Sequence, residues 1–111
     1  MLRSIRRLLN AAGFSVETFP SAEAFLEEGG CNRAACVVLD IHLPGMSGFD
    51  LRRHLTAAGS GLPIIFITAI NDEELQGAAT QLGCVAYLNK PFSPEALVSA
   101  VAQALTTAKF T

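Results

Sequence analysis

Hydrophobic positions follow a helical spacing at the start of the chain and an alternating one just after it. From Leu2 to about Ala12, apolar residues recur every three or four positions with arginines between them, which predicts an amphipathic helix. Gly13 follows as a helix stop. Residues 14–19 then alternate apolar and polar side chains, as in a strand with one buried face. The first predicted units are therefore a helix and a strand.

Three later segments are short, continuous apolar runs, at residues 36–39, 63–67 and 84–88. Runs of this kind are typical of parallel strands that are covered on both faces. Segments with a helical pattern lie before the first run, between successive runs and after the last run. The predicted starts of these helices are Ser21, Ser47 with Asp50, Asn71 with Glu74, and Ser93 before Pro94. Helices and strands alternate, so we expect an α/β fold, a doubly wound parallel sheet of about four strands and five helices.

Composition limits the class of protein. The length of 111 residues fits one domain, residues 1–111, with no output domain. A net charge of −2 argues against direct nucleic-acid binding, and no apolar run is long enough to span a membrane. The three cysteines lack the spacing of a zinc site and do not suggest a disulfide framework. A cytoplasmic location fits these features, since no signal peptide is present.

Polar side chains follow three of the predicted buried strands. Asp40, Thr68 and Lys90 each stand where an apolar run ends. Because ligands bind beyond the carboxyl ends of strands in open α/β sheets, we expect these side chains to share one edge. Taken singly, they read as a helix cap, a strand-end residue and a solvated loop charge. Together they suit a carboxylate that attacks a phosphoryl group, with a hydroxyl and an ammonium that bind its oxygens.

At this point the sequence resembles a known family. The run VVLDIHLPGMSG at residues 37–48 is similar to the phosphoacceptor strand and following loop of response regulator receiver domains. The runs IIFITA at residues 64–69 and YLNKPF at residues 87–92 resemble the family's two other functional strand ends. The resemblance covers residues 2–105 and implies the flavodoxin-like receiver fold and a role in two-component signal transduction. Residues 14–26 further resemble receivers that precede helix-turn-helix DNA-binding domains.

The resemblance implies a role for each residue of the site. Asp40 would accept a phosphoryl group from a sensor histidine kinase or a phosphotransfer protein. Thr68 would bind the phosphoryl oxygens and move toward them on activation, and Lys90 would pair with the phosphoryl group. Tyr87 would swing between outward and inward positions as Thr68 moves.

The resemblance also implies a bound Mg²⁺ and a cis peptide bond. Asp40 and the backbone carbonyl of His42 would be metal ligands, and Pro91 would follow a cis peptide bond that helps to aim Lys90. Receivers also supply an acidic pair at the end of their first strand. No acidic residue precedes Glu17 in this sequence, so we expect weak Mg²⁺ binding and slow or absent phosphorylation.

The first strand of the receiver family has no counterpart in this sequence, which opens with the first helix. The family's strand order places the absent strand between residues 14–19 and 36–40. Its absence would leave a gap of about 10 Å, two strand spacings. Such a gap predicts self-association, in one form by strand exchange. A start assigned too far downstream, a truncation and a rearranged fold are three open explanations.

Three functional interpretations follow. The first is a phosphorylation-controlled signalling switch, which is not an enzyme. The second is a receiver-like interaction module that works without phosphorylation. The third is an enzyme or nucleotide-binding protein on the same sheet. It is disfavoured because the sequence contains neither of the two glycine-rich motifs that bind nucleotide phosphates, GxGxxG and GxxxxGK followed by Ser or Thr.

Overall fold

The computed structural model describes residues 2–29, 34–41, 45–59, 61–68, 73–90 and 92–109. These residues form five helices and three strands. In chain order they are α1 (Leu2–Ala11), α2 (Ala22–Glu27), β1 (Val37–Asp40), α3 (Gly48–Ala57), β2 (Ile64–Thr68), α4 (Glu73–Leu82), β3 (Ala86–Asn89) and α5 (Pro94–Lys109). The prediction of an α/β fold is confirmed. None of the helices in the described ranges is long and apolar enough to cross a membrane.

The three strands form one parallel sheet in the order β1-β2-β3. Asp40 lies opposite Ile67 in the β1–β2 register, and Thr68 lies opposite Asn89 in the β2–β3 register. Strand β2 is central, and all five of its residues are buried. The continuous apolar runs of the sequence therefore mark strands that are covered on both faces, as expected for a parallel sheet.

Alternate residues of the strands point to two separate cores. Val37, Leu39 and Phe66 pack with buried residues of α2, α3 and α4. Ile65 packs on the other face with buried residues of α1 and α5. Because side chains in a strand alternate between faces, a single apolar run fills both cores, and helices cover the sheet on both sides.

The prediction of a strand at residues 14–19 is wrong. These residues have no regular secondary structure, so the described residues contain three strands where about four were predicted. The apolar positions of the segment are half-buried: Phe14 and Val16 pack on the α1–α5 side, and Phe19 packs on the α2–α3 side. The alternating pattern thus reports burial of one face, but a strand also needs a neighbour for its backbone hydrogen bonds.

Helix starts follow the predicted caps wherever the structure describes them. The Oγ of Ser21 accepts a hydrogen bond from the backbone N–H of Ala24 at 3.0 Å, and the Oγ of Ser93 accepts one from Ala96 at 3.1 Å. Ser47 and Asp50 form the predicted capping box. Asn71 lies outside the described residues. The structure shifts the predicted strands by one or two residues and places their ends at Asp40, Thr68 and Asn89.

Candidate functional site

The ammonium of Lys90 contacts the carboxylate of Asp40 at the carboxyl end of the sheet. Lys90 Nζ donates a hydrogen bond to Asp40 Oδ2 over 2.7 Å, across a sequence separation of 50 residues. Their side chains are 23% and 20% exposed, so the pair is partly shielded from water but open to a small reactant. The structure therefore brings together two of the three site residues predicted from strand ends.

Strand pairing places Thr68 at the same edge. Thr68 follows Ile67, which lies opposite Asp40, and the backbone N–H of Lys90 donates to the carbonyl of Thr68 over 2.8 Å. The Thr68 side chain is fully buried. Since neighbouring strands are about 4.8 Å apart, the backbones of Asp40, Thr68 and Lys90 lie at one edge of the sheet.

The start of α3 packs closely against the end of β1. A Cβ atom on Gly48 would lie 2.9 Å from the backbone oxygen of Asp40, and the N–H of Gly48 donates to the carbonyl of Ile41 over 3.2 Å. Only glycine permits this approach without a shift of the backbone. The capping box then fixes the helix start, and hydrogen bonds from Ser47 hold the pKa of the Asp50 carboxyl below its usual value.

A residue that the sequence reasoning missed, Glu23, holds the loop that follows β1. Its Oε2 accepts a hydrogen bond from the backbone N–H of Met46 over 3.2 Å. Gly45, beside it, has a positive φ of 75°, and a Cβ there would clash with Glu23 Oε2. The contact joins residues 23 apart in sequence, so no local pattern of α2 could have indicated it.

The remaining predicted site residues are described only in part. Tyr87 is half-buried against the core under α3 and α4, and its hydroxyl oxygen is shielded from solvent. His42 and Pro91 lie outside the described residues, so the metal-ligand role of the His42 carbonyl and the cis peptide bond at Pro91 stay predictions.

Among the described residues at this edge, Asp40 supplies a carboxylate of the kind that Mg²⁺ prefers as a ligand. Mg²⁺ prefers octahedral coordination by oxygen ligands, commonly one or two carboxylates plus waters and phosphate. The Asp40 carboxylate is already paired with the ammonium of Lys90. Across the part of the chain that the structure describes, no group of three or more His, Cys, Asp or Glu side chains could hold a metal ion.

A cleft of about 830 Å³ lies on the other side of β1. Helices α1 and α5 line it with Ile5, Leu9, Val101 and Leu105, α2 lines it with Ala22 and Phe25, and residues 14–19 also border it. Cys36 is one of the lining residues, and burial raises the pKa of its thiol to about 11. The cleft lies where the family's strand order places the first strand.

Comparisons with known proteins agree with the fold. A family model described as response regulator receiver domain matches residues 1–102. The chain belongs to this family. Response regulator protein TodT of Pseudomonas putida strain F1 is 37% identical over 108 residues, which is 97% of this chain and 48% of TodT. Transcriptional regulatory protein FixJ of Bradyrhizobium diazoefficiens is 36% identical over 109 residues, which is 98% of this chain and 53% of FixJ. This receiver chain therefore spans about half the length of the curated relatives it matches.

Solved receiver structures superimpose closely on this receiver. The response regulator StyR has a TM-score of 0.88 at 42% identity, over 97% of this chain and 55% of StyR. FixJ-N has a TM-score of 0.85 at 33% identity, over 94% of this chain and 83% of FixJ-N. The resemblance seen in three short sequence runs thus extends over nearly the whole described fold.

Proposed function

We propose that this receiver accepts a phosphoryl group on Asp40 from a phosphohistidine, supplied by a sensor histidine kinase or a phosphotransfer protein. The observation that carries the proposal is the 2.7 Å hydrogen bond between Lys90 Nζ and Asp40 Oδ2, at the same edge as Thr68. Membership of the receiver family, whose members work in two-component systems, supports the same function. The chain is then a signalling switch in the cytoplasm and not an enzyme.

The proposed transfer needs few groups. An oxygen of the Asp40 carboxylate attacks phosphorus, a P–O bond forms, and the P–N bond of the phosphohistidine breaks with its electron pair going to the imidazole nitrogen. Lys90 stands beside the carboxylate and would neutralise part of the negative charge that builds up on the phosphoryl oxygens. Lys90 would contact the Asp40 carboxylate before the transfer and a phosphoryl oxygen after it, so the positive charge of Lys90 stays paired throughout.

Thr68 and Tyr87 would carry the signal away from Asp40. The Thr68 hydroxyl is buried at the end of the central strand, so a movement toward a phosphoryl oxygen would change the packing around it. Tyr87 lies on the neighbouring strand, half-buried against the core that also contains Phe66. Space vacated by Thr68 would stabilise the inward position of Tyr87. This links a covalent change at Asp40 to the surface formed by β3.

Mg²⁺ would act here as a weakly held ion. At this edge the described residues offer the Asp40 carboxylate, which the Lys90 ammonium already engages. Phosphorylation would accordingly be slow.

Intact mass spectrometry after incubation with acetyl phosphate and MgCl₂ tests the proposal. We expect the added mass of one phosphate, absent in Asp40→Asn and retained in Asp50→Asn, whose carboxylate is exposed on α3. The Asp50→Asn protein controls for the loss of one negative charge. Failure of the unaltered protein to take up phosphate would contradict the proposal and favour an interaction module that works without phosphorylation.

A further inference from the structure

A turn at residues 45–48 connects helix α2 to the end of β1 through two backbone hydrogen bonds. Met46 N–H donates to Glu23 Oε2 on α2 over 3.2 Å. Two residues further on, Gly48 N–H donates to the carbonyl of Ile41, the residue after Asp40, also over 3.2 Å. Because a single residue separates the two donors, a displacement of Met46 would be passed on to the backbone beside Asp40.

The turn lies in close contact with the backbone that carries the Asp40 side chain. A Cβ atom on Gly48 would lie 2.9 Å from the Asp40 carbonyl oxygen and 3.2 Å from the Cα of Ile41. The Asp40 carboxylate must face both Lys90 and an incoming phosphoryl group. A misplacement of about 1 Å in a reacting group can cost about 10²-fold in rate. The position of this turn therefore bears directly on a reaction at Asp40.

The Glu23 carboxylate is well placed to fix the turn. Its Oε2 accepts the hydrogen bond from Met46, and its Oε1 is shielded from solvent and has no hydrogen-bond partner among the described residues. A hydrogen bond to a carboxylate that is shielded from water is stronger than one exposed to it. Gly45 makes room for this approach, since a Cβ atom there would clash with Glu23 Oε2.

We propose that Glu23 is a positioning residue for phosphoryl transfer to Asp40. Its carboxylate holds the turn at residues 45–48 against the end of β1 and thereby fixes the direction of the Asp40 side chain. The inference rests on the function proposed above for Asp40. Glu23 acts through Met46 and Gly48, so helix α2 contributes to the reaction although its side chain contacts the turn and not the reacting carboxylate.

Phosphorylation rates of three variants test the role of Glu23. The initial rate with acetyl phosphate and MgCl₂, followed by intact mass, should fall about tenfold in Glu23→Ala, because the Met46 N–H loses its acceptor and the turn shifts. Glu23→Gln should stay within about threefold of the unaltered protein, since an amide oxygen still accepts from Met46. Glu27→Ala removes the same charge from an exposed position on the same helix and should change nothing. A normal rate in Glu23→Ala, or a Glu23→Gln protein as slow as Glu23→Ala, would overturn the proposal.

Two glycines with the same backbone conformation give a second test. Gly45 has a φ of 75° and Gly59 a φ of 78°, so alanine is strained equally at both. Among the described residues nothing lies within 4 Å of a Cβ atom added at Gly59, whereas one added at Gly45 meets the Glu23 carboxylate. Gly45→Ala should slow phosphorylation about tenfold and Gly59→Ala should not. Combined with Glu23→Ala, Gly45→Ala should add about twofold or less, because the clashing group is gone. A full additional tenfold loss would contradict the role of Glu23.

Amide signals of the unphosphorylated chain separate this inference from the proposed function. In ¹⁵N–¹H spectra, Glu23→Ala should move the signals of Met46 and Gly48, and Glu27→Ala should leave both in place. Unmoved signals in Glu23→Ala would overturn the proposal. If the signals move but the unaltered protein takes up no phosphate, the function proposed for Asp40 fails while the hold of Glu23 on the turn stands. Urea denaturation shows which variants are folded, and Glu23→Gln and Gly45→Ala carry the test if Glu23→Ala does not fold.

Discussion

Strand β1 meets two different environments. On its inner side it pairs with β2, and at the end of this pairing the Lys90 ammonium contacts the Asp40 carboxylate over 2.7 Å. On its outer side it borders a cleft of about 830 Å³ with no strand of the described residues beside it. The contact between Asp40 and Lys90 joins the end of β1 to the residue that follows β3, on the side where β1 pairs with β2.

The largest expected difference between the two sides is in packing energy. Leu51 is fully buried under the paired part of the sheet, whereas Leu105 is half-buried and lines the cleft. Leu51→Ala should lower the free energy of unfolding by about 2–5 kcal/mol, because it leaves an enclosed cavity. Leu105→Ala should cost less than about 2 kcal/mol, since its side chain has fewer neighbours to lose. Urea denaturation measures both, and equal losses would show that the cleft side is packed as tightly as the paired side.

The next effect concerns the charge pair on the inner side. Lys90→Ala should slow phosphorylation of Asp40 by acetyl phosphate about 10²-fold, because a cation beside the developing negative charge is removed. Arg53→Ala is the control: Arg53 pairs with Asp50 at 3.2 Å with both side chains more than half exposed, and its loss should leave the rate unchanged. A Lys90→Ala protein labelled at the normal rate would remove Lys90 from the proposed mechanism.

Helix caps on the two sides should differ by a smaller amount. Ser47 caps the ten-residue helix α3 beside the site, and Ser21 caps the six-residue helix α2 beside the cleft. Each substitution by alanine should cost about 0.5–2 kcal/mol of unfolding free energy, with Ser47→Ala the larger because it also breaks the capping box. Thermal melts of the two variants measure the difference, and a larger loss for Ser21→Ala would reverse this ranking.

The smallest expected effect is a pH dependence of the free energy of unfolding, caused by Asp50 in the capping box of α3. Hydrogen bonds from Ser47 lower the pKa of Asp50 in the folded chain, so its contribution to stability is complete above its ordinary pKa and is lost as pH falls through the lowered value. The stability difference between the unaltered protein and Asp50→Asn should therefore shrink between about pH 6 and about pH 3. Urea midpoints at each pH measure it. A constant difference across that range would mean that the Asp50 charge does not contribute.

Much of the side on which β1 pairs with β2 could be predicted from the sequence, because local sequence patterns determine its structure. Apolar runs that end in polar residues located Asp40, Thr68 and Lys90 at strand ends. The helix caps predicted at Ser21, Ser47 and Ser93 are present in the structure. These features depend on neighbours within four residues or on the common direction of parallel strands.

The side of β1 that borders the cleft could not be predicted in the same way. The alternation at residues 14–19 reports a half-buried face, but whether such a segment is a strand depends on a partner that no local pattern encodes. The contact between Glu23 and Met46 is likewise set by how α2 packs near the loop after β1, across 23 residues of sequence. The roles of His42 and Pro91 depend on residues outside the described ranges and stay predictions.

Amide hydrogen exchange along β1 tests the contrast between its two sides most directly. The Val37 and Ile41 amides donate to Pro63 and Ile67. Because successive residues of a parallel strand direct their backbone groups to opposite sides, the Val38 amide is directed away from β2. In the unliganded chain, NMR should show the Val38 amide exchanging about tenfold faster or more than the other two, because unpaired amides open to water without breaking the sheet. Protection of Val38 equal to that of Val37 and Ile41 would mean that the outer edge of β1 is paired like its inner edge, which would contradict the contrast between the two sides.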